Sequence, residues 1–322
     1  MRLSSYQISD QLNKFVVTPF FAGLKPDPLL TVSEWADSHR VLSQKASAEP
    51  GRWRTSRTPY LKEIMDALSP LSPIEEVIFI KGSQIGGTEA GTNWIAYILD
   101  YSPGPTMAVQ PTVDLAKKYS KQRIAPLIEE SPRLRAKVKN PRSRDSGNTV
   151  LMKEFQGGLL AMTGANSAVG LRSLPIKNLF MDEVDAYPDN ADGEGDPVAL
   201  AKGRTKTFAR RKILQVSTPT FEGRSKIKNA YDQSDQRVYM VPCPHCKEYQ
   251  SLKWNNLKWP EGKPQEVRYM CEFCGEAIEE HHKTKMLAEG KWVSRNPGAK
   301  GGKSAGFHIN TDRKSTRLNS SH

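Results

Sequence analysis

Residues 78–90 read Ile-Phe-Ile-Lys-Gly-Ser-Gln-Ile-Gly-Gly-Thr-Glu-Ala, an apolar run that gives way to a glycine-rich turn and then to a stretch suited to a helix. In such a layout glycines let the main chain curl around an anion, N–H groups at the helix start face it, and a hydroxyl reaches Mg²⁺. Gly82, Ser83, Gln84, Gly86, Gly87 and Thr88 are the candidates for that cradle. The slot before the threonine, where a phosphate loop ordinarily carries lysine, holds Gly87. Lys81 stands at the front of the turn. A wrapped loop brings its first residue about as near the anion as its last, so the missing charge is expected from Lys81. The plainer alternative is a strand-turn-helix connection with no ligand.

A second constellation follows in Asn178-Leu-Phe-Met-Asp-Glu-Val-Asp185, an apolar run ending in adjacent carboxylates. A buried parallel strand has that look, and open α/β sheets place their ligands at the carboxyl ends of their strands. Asp182 is expected to hold Mg²⁺ through water, and Glu183 to orient and deprotonate an attacking water. An acidic turn after a core strand is the bland alternative. Loop and acidic strand in this order point to ATP hydrolysis. A third run, Lys-Ile-Leu-Gln-Val-Ser-Thr-Pro-Thr at 212–220, ends a strand in Ser217 and Thr218, hydroxyls placed to sense a terminal phosphate or merely to turn the chain.

Cys243-Pro-His-Cys246 and Cys271-Glu-Phe-Cys274 stand 24 residues apart and are the only cysteines. Two such knuckles suit a closed four-thiolate Zn²⁺ site, with no open position for a catalytic water and a structural role for the metal. His245, His281 and His282 are expected at the surface, since sulfur fills the shell. Trp254, Trp259 and Trp292, interleaved with Lys253, Lys258 and Lys291, are read as the small core of that module in preference to a DNA contact.

These residues must be positioned by an ordered fold. From Glu75 to about Gln233, strand-like and helix-like runs alternate, which predicts a mostly parallel sheet flanked by helices. Residues 149–155 and 158–165, split by Gln156-Gly157-Gly158, read as an edge hairpin. Upstream, Leu30, Val32, Trp35 and Val41 predict an amphipathic helix packed on something else. With 322 residues and 37% apolar content the chain can bury a sizeable core. A net charge of +12 attracts polyanions and makes nucleic acid the leading partner. No long apolar run and no signal-like start occur, so the expectation is a cytoplasmic protein without a membrane span.

The expected division is a lead-in over 1–60, an ATPase domain over 61–236, a zinc ribbon over 237–295, and a linker with the start of a further domain over 296–311. The last residues, 312–322, resemble a translated sequencing adapter and are expected to be an assembly artefact, with the true frame continuing past Thr311. Without them the loss of Arg313, Lys314, Arg317 and Asp312 takes the charge from +12 to +10, and the chain stays basic.

Taken together, Val-Ser-Glu-Trp-Ala-Asp-Ser-His-Arg-Val-Leu at 32–42, Glu-Pro-Gly-Arg-Trp-Arg-Thr-Ser-Arg-Thr-Pro-Tyr at 49–60, the early-lysine loop, Gly-Ala-Asn-Ser-Ala-Val-Gly-Leu-Arg-Ser at 164–173, the acidic strand, Val-Ser-Thr-Pro-Thr and the cysteine pairs resemble the lambda-type large terminase subunit of tailed bacteriophages. The resemblance spans about Leu30 to Asn310. It implies an α/β P-loop NTPase of the ASCE type with a small zinc-ribbon module, ATP and Mg²⁺ at the loop, and translocation of double-stranded DNA into a capsid. It further implies a small terminase subunit and a portal protein as partners, a homo-oligomeric ring, and the bacterial host cytoplasm. A nuclease domain belongs to the family, and its acids are expected beyond Thr311. By the same resemblance Tyr60 would stack on adenine, unless Pro59-Tyr60 simply caps the next helix. Arg172 would face the γ-phosphate, unless it is one basic residue among many near DNA. The rivals are a helicase-like ATPase of cellular role and a non-enzymatic zinc-ribbon DNA-binding protein with a dead nucleotide site.

Overall fold

The computed structural model describes residues 29–44, 47, 49–139, 147–220, 223–263 and 266–309. Among the described residues the fold proper begins at Thr31. The tail 312–322 lies outside the described residues.

Thr31 opens the first described helix, Val32–His39, with a capping box shared with Glu34. Val32 and Trp35 are buried as the periodicity requires, and the Trp35 indole donates to Asp100 Oδ2 at 2.8 Å. Val41 falls instead in a short strand, β1 (Val41–Leu42), paired with β2 (Gly51–Arg52). Then come β3 (Glu76–Ile80), β4 (Thr106–Gln110), β5 (Met152–Phe155), β6 (Gly158–Gly164), β7 (Asn178–Asp182), β8 (Lys212–Ser217), β9 (Arg237–Pro242) and β10 (Tyr249–Ser251). After these, β11 (Leu257–Lys258), β12 (Arg268–Met270) and β13 (Ala277–Ile278) make a small antiparallel sheet, before β14 (Lys291–Ser294) and β15 (Ser304–His308).

Among the described residues the main sheet has ten strands, in the order β10-β9-β15-β3-β8-β7-β4-β6-β5, with β14 also paired to β9. From β15 to β6 every neighbour is parallel. The antiparallel hairpin β5-β6 closes one edge, where the glycine turn predicted it. β4 and β7 are buried at every position, as strands covered on both faces must be. The helix Gly87–Asp100 lies against the sheet so closely that a Cβ on Gly91 would sit 2.3 Å from Phe180 Cζ. The helical run from Val113 to Glu130 contains a π turn at Ser120–Ile124. Near that turn the Tyr119 hydroxyl meets Thr92 at 3.0 Å, and Arg123 reaches Glu89 at 2.6 Å.

The main sheet draws strands from both sides of two expected boundaries. β9, β10 and β14, assigned to the separate cysteine module, extend the main sheet, and only β11 to β13 stand apart. Gly298–Lys303, read as a linker, winds through left-handed backbone at Gly298, Lys300, Gly301 and Gly302 and feeds β15, which is inserted between β3 and β9. The insertion needs small residues: a Cβ on Gly306 would lie 1.9 Å from Ser234 Oγ. Small residues make a strand that hydrophobic patterning overlooks. The tryptophan core reading also holds only in part. Trp292 packs on Tyr239 and Phe307 with ring centroids 4.9 and 5.0 Å apart. Trp254 and Trp259 are 47% and 45% exposed and meet each other edge to face at 6.0 Å.

Candidate nucleotide site and cysteine cluster

The order β3-β8-β7 sets the tip of β8 between the glycine turn that follows β3 and the acids that end β7. Lys81 N–H donates to Ser217 C=O at 3.0 Å and ties the turn to that middle strand. Through the turn, Gln84 and Gly86 take positive φ of 56° and 87°, and Gly87 then starts the helix. Ser83 lies in the same turn, between Gly82 and Gln84.

Lys81 is 6% exposed, and its Nζ donates to Glu183 Oε1 at 2.6 Å. Beside this pair the Thr88 hydroxyl donates to Asp182 Oδ2 at 2.9 Å. Cation, hydroxyl and two carboxylates therefore converge at one end of the sheet. An added Cβ at Gly87 would lie 2.6 Å from both Lys81 Cδ and Val216 Cγ1. The Lys81 stem fills the space that a side chain at 87 would need, so the glycine at the usual lysine position is the complement of the early lysine.

Asp182 Oδ1 is buried without a hydrogen-bond partner among the described residues, and so is Gln110 Nε2 at the tip of neighbouring β4. Burial first, and then the adjacent Glu183 charge, push the Asp182 carboxyl up to about 6. A buried carboxylate with a free oxygen next to a hydroxyl is an oxygen donor set that suits Mg²⁺, whose charge would offset the burial. Glu183 itself sits at φ 52°, an uncommon conformation for a residue with a side chain and one that recurs at functional sites. Its Oε2 accepts from Thr218 N–H at 3.4 Å. Ser217, fully buried, accepts from Asp185 N–H at 3.2 Å. Asp185 in turn accepts from Thr220 N–H and Ile227 N–H, both at 2.8 Å. The strand-end hydroxyls are thus wired to the acidic turn.

Gln110 and Asp185 were not singled out from the sequence. The available signal was positional: each lies at or just past the carboxyl end of an apolar strand on the site's side. Two sequence expectations sit elsewhere. Tyr60 is buried, donates from its hydroxyl to Ile85 C=O at 3.2 Å and meets Tyr239 edge-on. Its hydroxyl ties it to the loop at Ile85, and its ring is buried in the fold. Arg172, at the end of the helix Ala168–Arg172, is ion-paired with Glu194.

The thiol sulfurs of Cys243, Cys246, Cys271 and Cys274 all lie within 4.8 Å of one another. Cys243 to Cys274 is 3.9 Å and Cys246 to Cys271 is 3.8 Å, close to the edge of about 3.8 Å that a tetrahedron with Zn–S bonds of about 2.3 Å requires. Backbone N–H groups of His245 and Phe273 point at Cys243 and Cys271, each at 3.4 Å. His245 and His281 are exposed, outside the sulfur cluster. Among the described residues no helix is long and apolar enough to cross a membrane.

A family model described as phage terminase large subunit gpA, ATPase domain, matches residues 47–292. The terminase large subunit of Enterobacteria phage P21 is 29% identical over 291 residues, covering 88% of this chain and 44% of that protein. That of Escherichia phage lambda is 29% identical over 280 residues, covering 84% and 43%. The chain thus spans less than half the length of these curated relatives. Among solved structures, the ATPase domain of the Thermus phage P74-26 large terminase aligns over 76% of this chain and 78% of its own, at 14% identity and a TM-score of 0.39. The HK97 large terminase aligns over 63% and 40%, at 11% identity and a TM-score of 0.48.

Proposed function

The chain belongs to the phage terminase large subunit gpA family, matching its ATPase domain, and on that premise we propose that it hydrolyses ATP to drive double-stranded DNA into a capsid. The observation that carries the reading is the 2.6 Å contact of Lys81 with Glu183, beside the 2.9 Å contact of Thr88 with Asp182. It gathers the cation, the base and the oxygen donors that phosphoryl transfer to water needs.

In this reading the loop N–H groups from Gly82 to Thr88 bind the phosphates, and Lys81 exchanges Glu183 for their terminal oxygens. Glu183, released from that ion pair, accepts a proton from the attacking water. Thr88 and Asp182 would hold Mg²⁺, which when bound neutralises charge on the phosphate oxygens. Thr218 and Ser217 relay the state of Glu183 into β8. Arg172 would have to leave Glu194 to meet developing charge. The four cysteines would hold a structural Zn²⁺. Double-stranded DNA, a small terminase subunit, a portal protein and further copies of the chain in a ring are the partners of this reading, in the cytoplasm of a bacterial host.

The test is ATP turnover alongside nucleotide binding. Lys81→Ala is expected to slow turnover by about 10² to 10³. Glu183→Gln should slow it by about 10² to 10⁴ while leaving binding intact. Turnover undiminished in Lys81→Ala sinks the proposed site, and binding without turnover in the unmodified chain favours a DNA-binding protein with a dead nucleotide site.

A further inference from the structure

At the amino-terminal ends of the parallel strands, the opposite end of the sheet from Lys81, the starts of β3, β8 and β15 and the helix Pro197–Gly203 enclose a cavity of about 320 Å³. That is the size of a small-ligand pocket. Lys202, Lys206, Arg211, Lys300 and Lys303 bring five positive charges to it, and Glu75 and Glu76 two negative ones, a surplus of three.

Both acids are already engaged. Glu76 takes Lys202, Lys300 at 3.2 Å and the Gln215 amide at 2.8 Å. Glu75 takes Lys303 at 2.7 Å and Arg211 at 3.1 Å. Lys206 is exposed and has no ion-pair partner among the described residues.

A second observation is independent of charge. Ser304 lines the cavity at 1% exposure, and its hydroxyl has no hydrogen-bond partner among the described residues. A buried hydroxyl left unpaired costs free energy that a bound acceptor would recover. A third concerns the backbone. Lys300 adopts φ 48° within the left-handed turn, a conformation unfavourable for a residue with a side chain, in a segment that delivers both Lys300 and Lys303 to the cavity.

We propose that this cavity binds a phosphate group, either in a free oxyanion such as pyrophosphate or in the backbone of DNA. Three surplus positive charges match a multivalent phosphate, several ammonium groups and a guanidinium supply donors, and the Ser304 hydroxyl gains an acceptor.

Calorimetric titration of pyrophosphate into the whole chain tests the proposal, with Lys81→Ala separating this site from the phosphate loop. Binding that persists in Lys81→Ala is expected to weaken about tenfold or more in Lys206→Ala, and to weaken in Ser304→Ala without any fall in the ligand-free melting temperature. The source is read from a short fluorescent DNA duplex titrated at several salt concentrations. If the phosphodiester is the ligand, Lys206→Ala weakens duplex binding and lowers the salt slope by about one, and pyrophosphate competes with the duplex. If free phosphate is the ligand, duplex binding is unchanged while pyrophosphate binding falls. Pyrophosphate affinity, duplex affinity and salt slope all unaltered by Lys206→Ala would overturn the proposal. A ligand-free Ser304→Ala that melts lower would overturn the role given to the hydroxyl.

Discussion

Lys81 and Gly87 are two halves of one arrangement, because the lysine stem occupies the volume that any side chain at 87 would claim. Returning a lysine to the usual slot should therefore fail. Gly87→Lys in the Lys81→Ala background still places its Cβ against Val216, so no recovery of ATP turnover is expected, whereas simple charge transfer would predict rescue. Asp182 gives a second test at this scale. Its ordinary value is 3.8, and burial raises it to about 6 in the fold, so the folded chain holds that proton more tightly than the unfolded chain does. The stability due to that proton is fully present below about pH 4 and is lost as pH rises through about 6. Without metal or nucleotide, Asp182→Asn should resist denaturant better by up to about 3 kcal/mol well above pH 6, and by nearly nothing below pH 4. Equal gains across that range would show that the carboxyl is not held protonated by its surroundings.

Between elements, the cysteine knuckles are less separate than their sequence suggests. β9 runs straight into Cys243 at one end and pairs with β15 at the other. From β14, Trp292 donates its indole N–H to Tyr60 C=O at 3.0 Å, and Tyr60 in turn holds Ile85 in the phosphate loop. Metal loss should thus reach the main sheet. With zinc held by the four thiolates as proposed, Cys271→Ser is expected to release it, counted by a colorimetric chelator, and to lower the melting temperature of the whole chain in one transition. Two separated transitions, with the sheet melting as before, would show that the knuckles fold independently.

Across the molecule, β15, the last described strand, lies between β3 and β9 in the interior of the sheet. Ending the chain after Lys303 would leave edges of β3 and β9 open, and β3 carries the residues that lead into Lys81. Such a truncation should aggregate or lose its cooperative melt, seen by scattering and circular dichroism. A soluble, cooperatively folded product would mean that β15 is dispensable. The proposed nucleotide site lies at the carboxyl ends of the parallel strands and the basic cavity at their amino ends, so the two abut one sheet at opposite ends.

Much was legible in the residues themselves. Local patterns announce local chemistry: glycines with an early lysine, an apolar run ending in Asp182 and Glu183, a glycine-split hairpin, and paired cysteines at ribbon spacing each need only neighbouring residues to be recognised. Tertiary structure alone decided which groups meet. Lys81 finds Glu183 across the strand order β3-β8-β7, Arg172 finds Glu194, and Tyr60 is buried against Tyr239 of β9 in the main sheet. Small residues after a glycine-rich turn look like a linker until backbone pairing makes them a central strand. Contacts between residues distant in the chain depend on strand order and burial, which no short window of sequence carries.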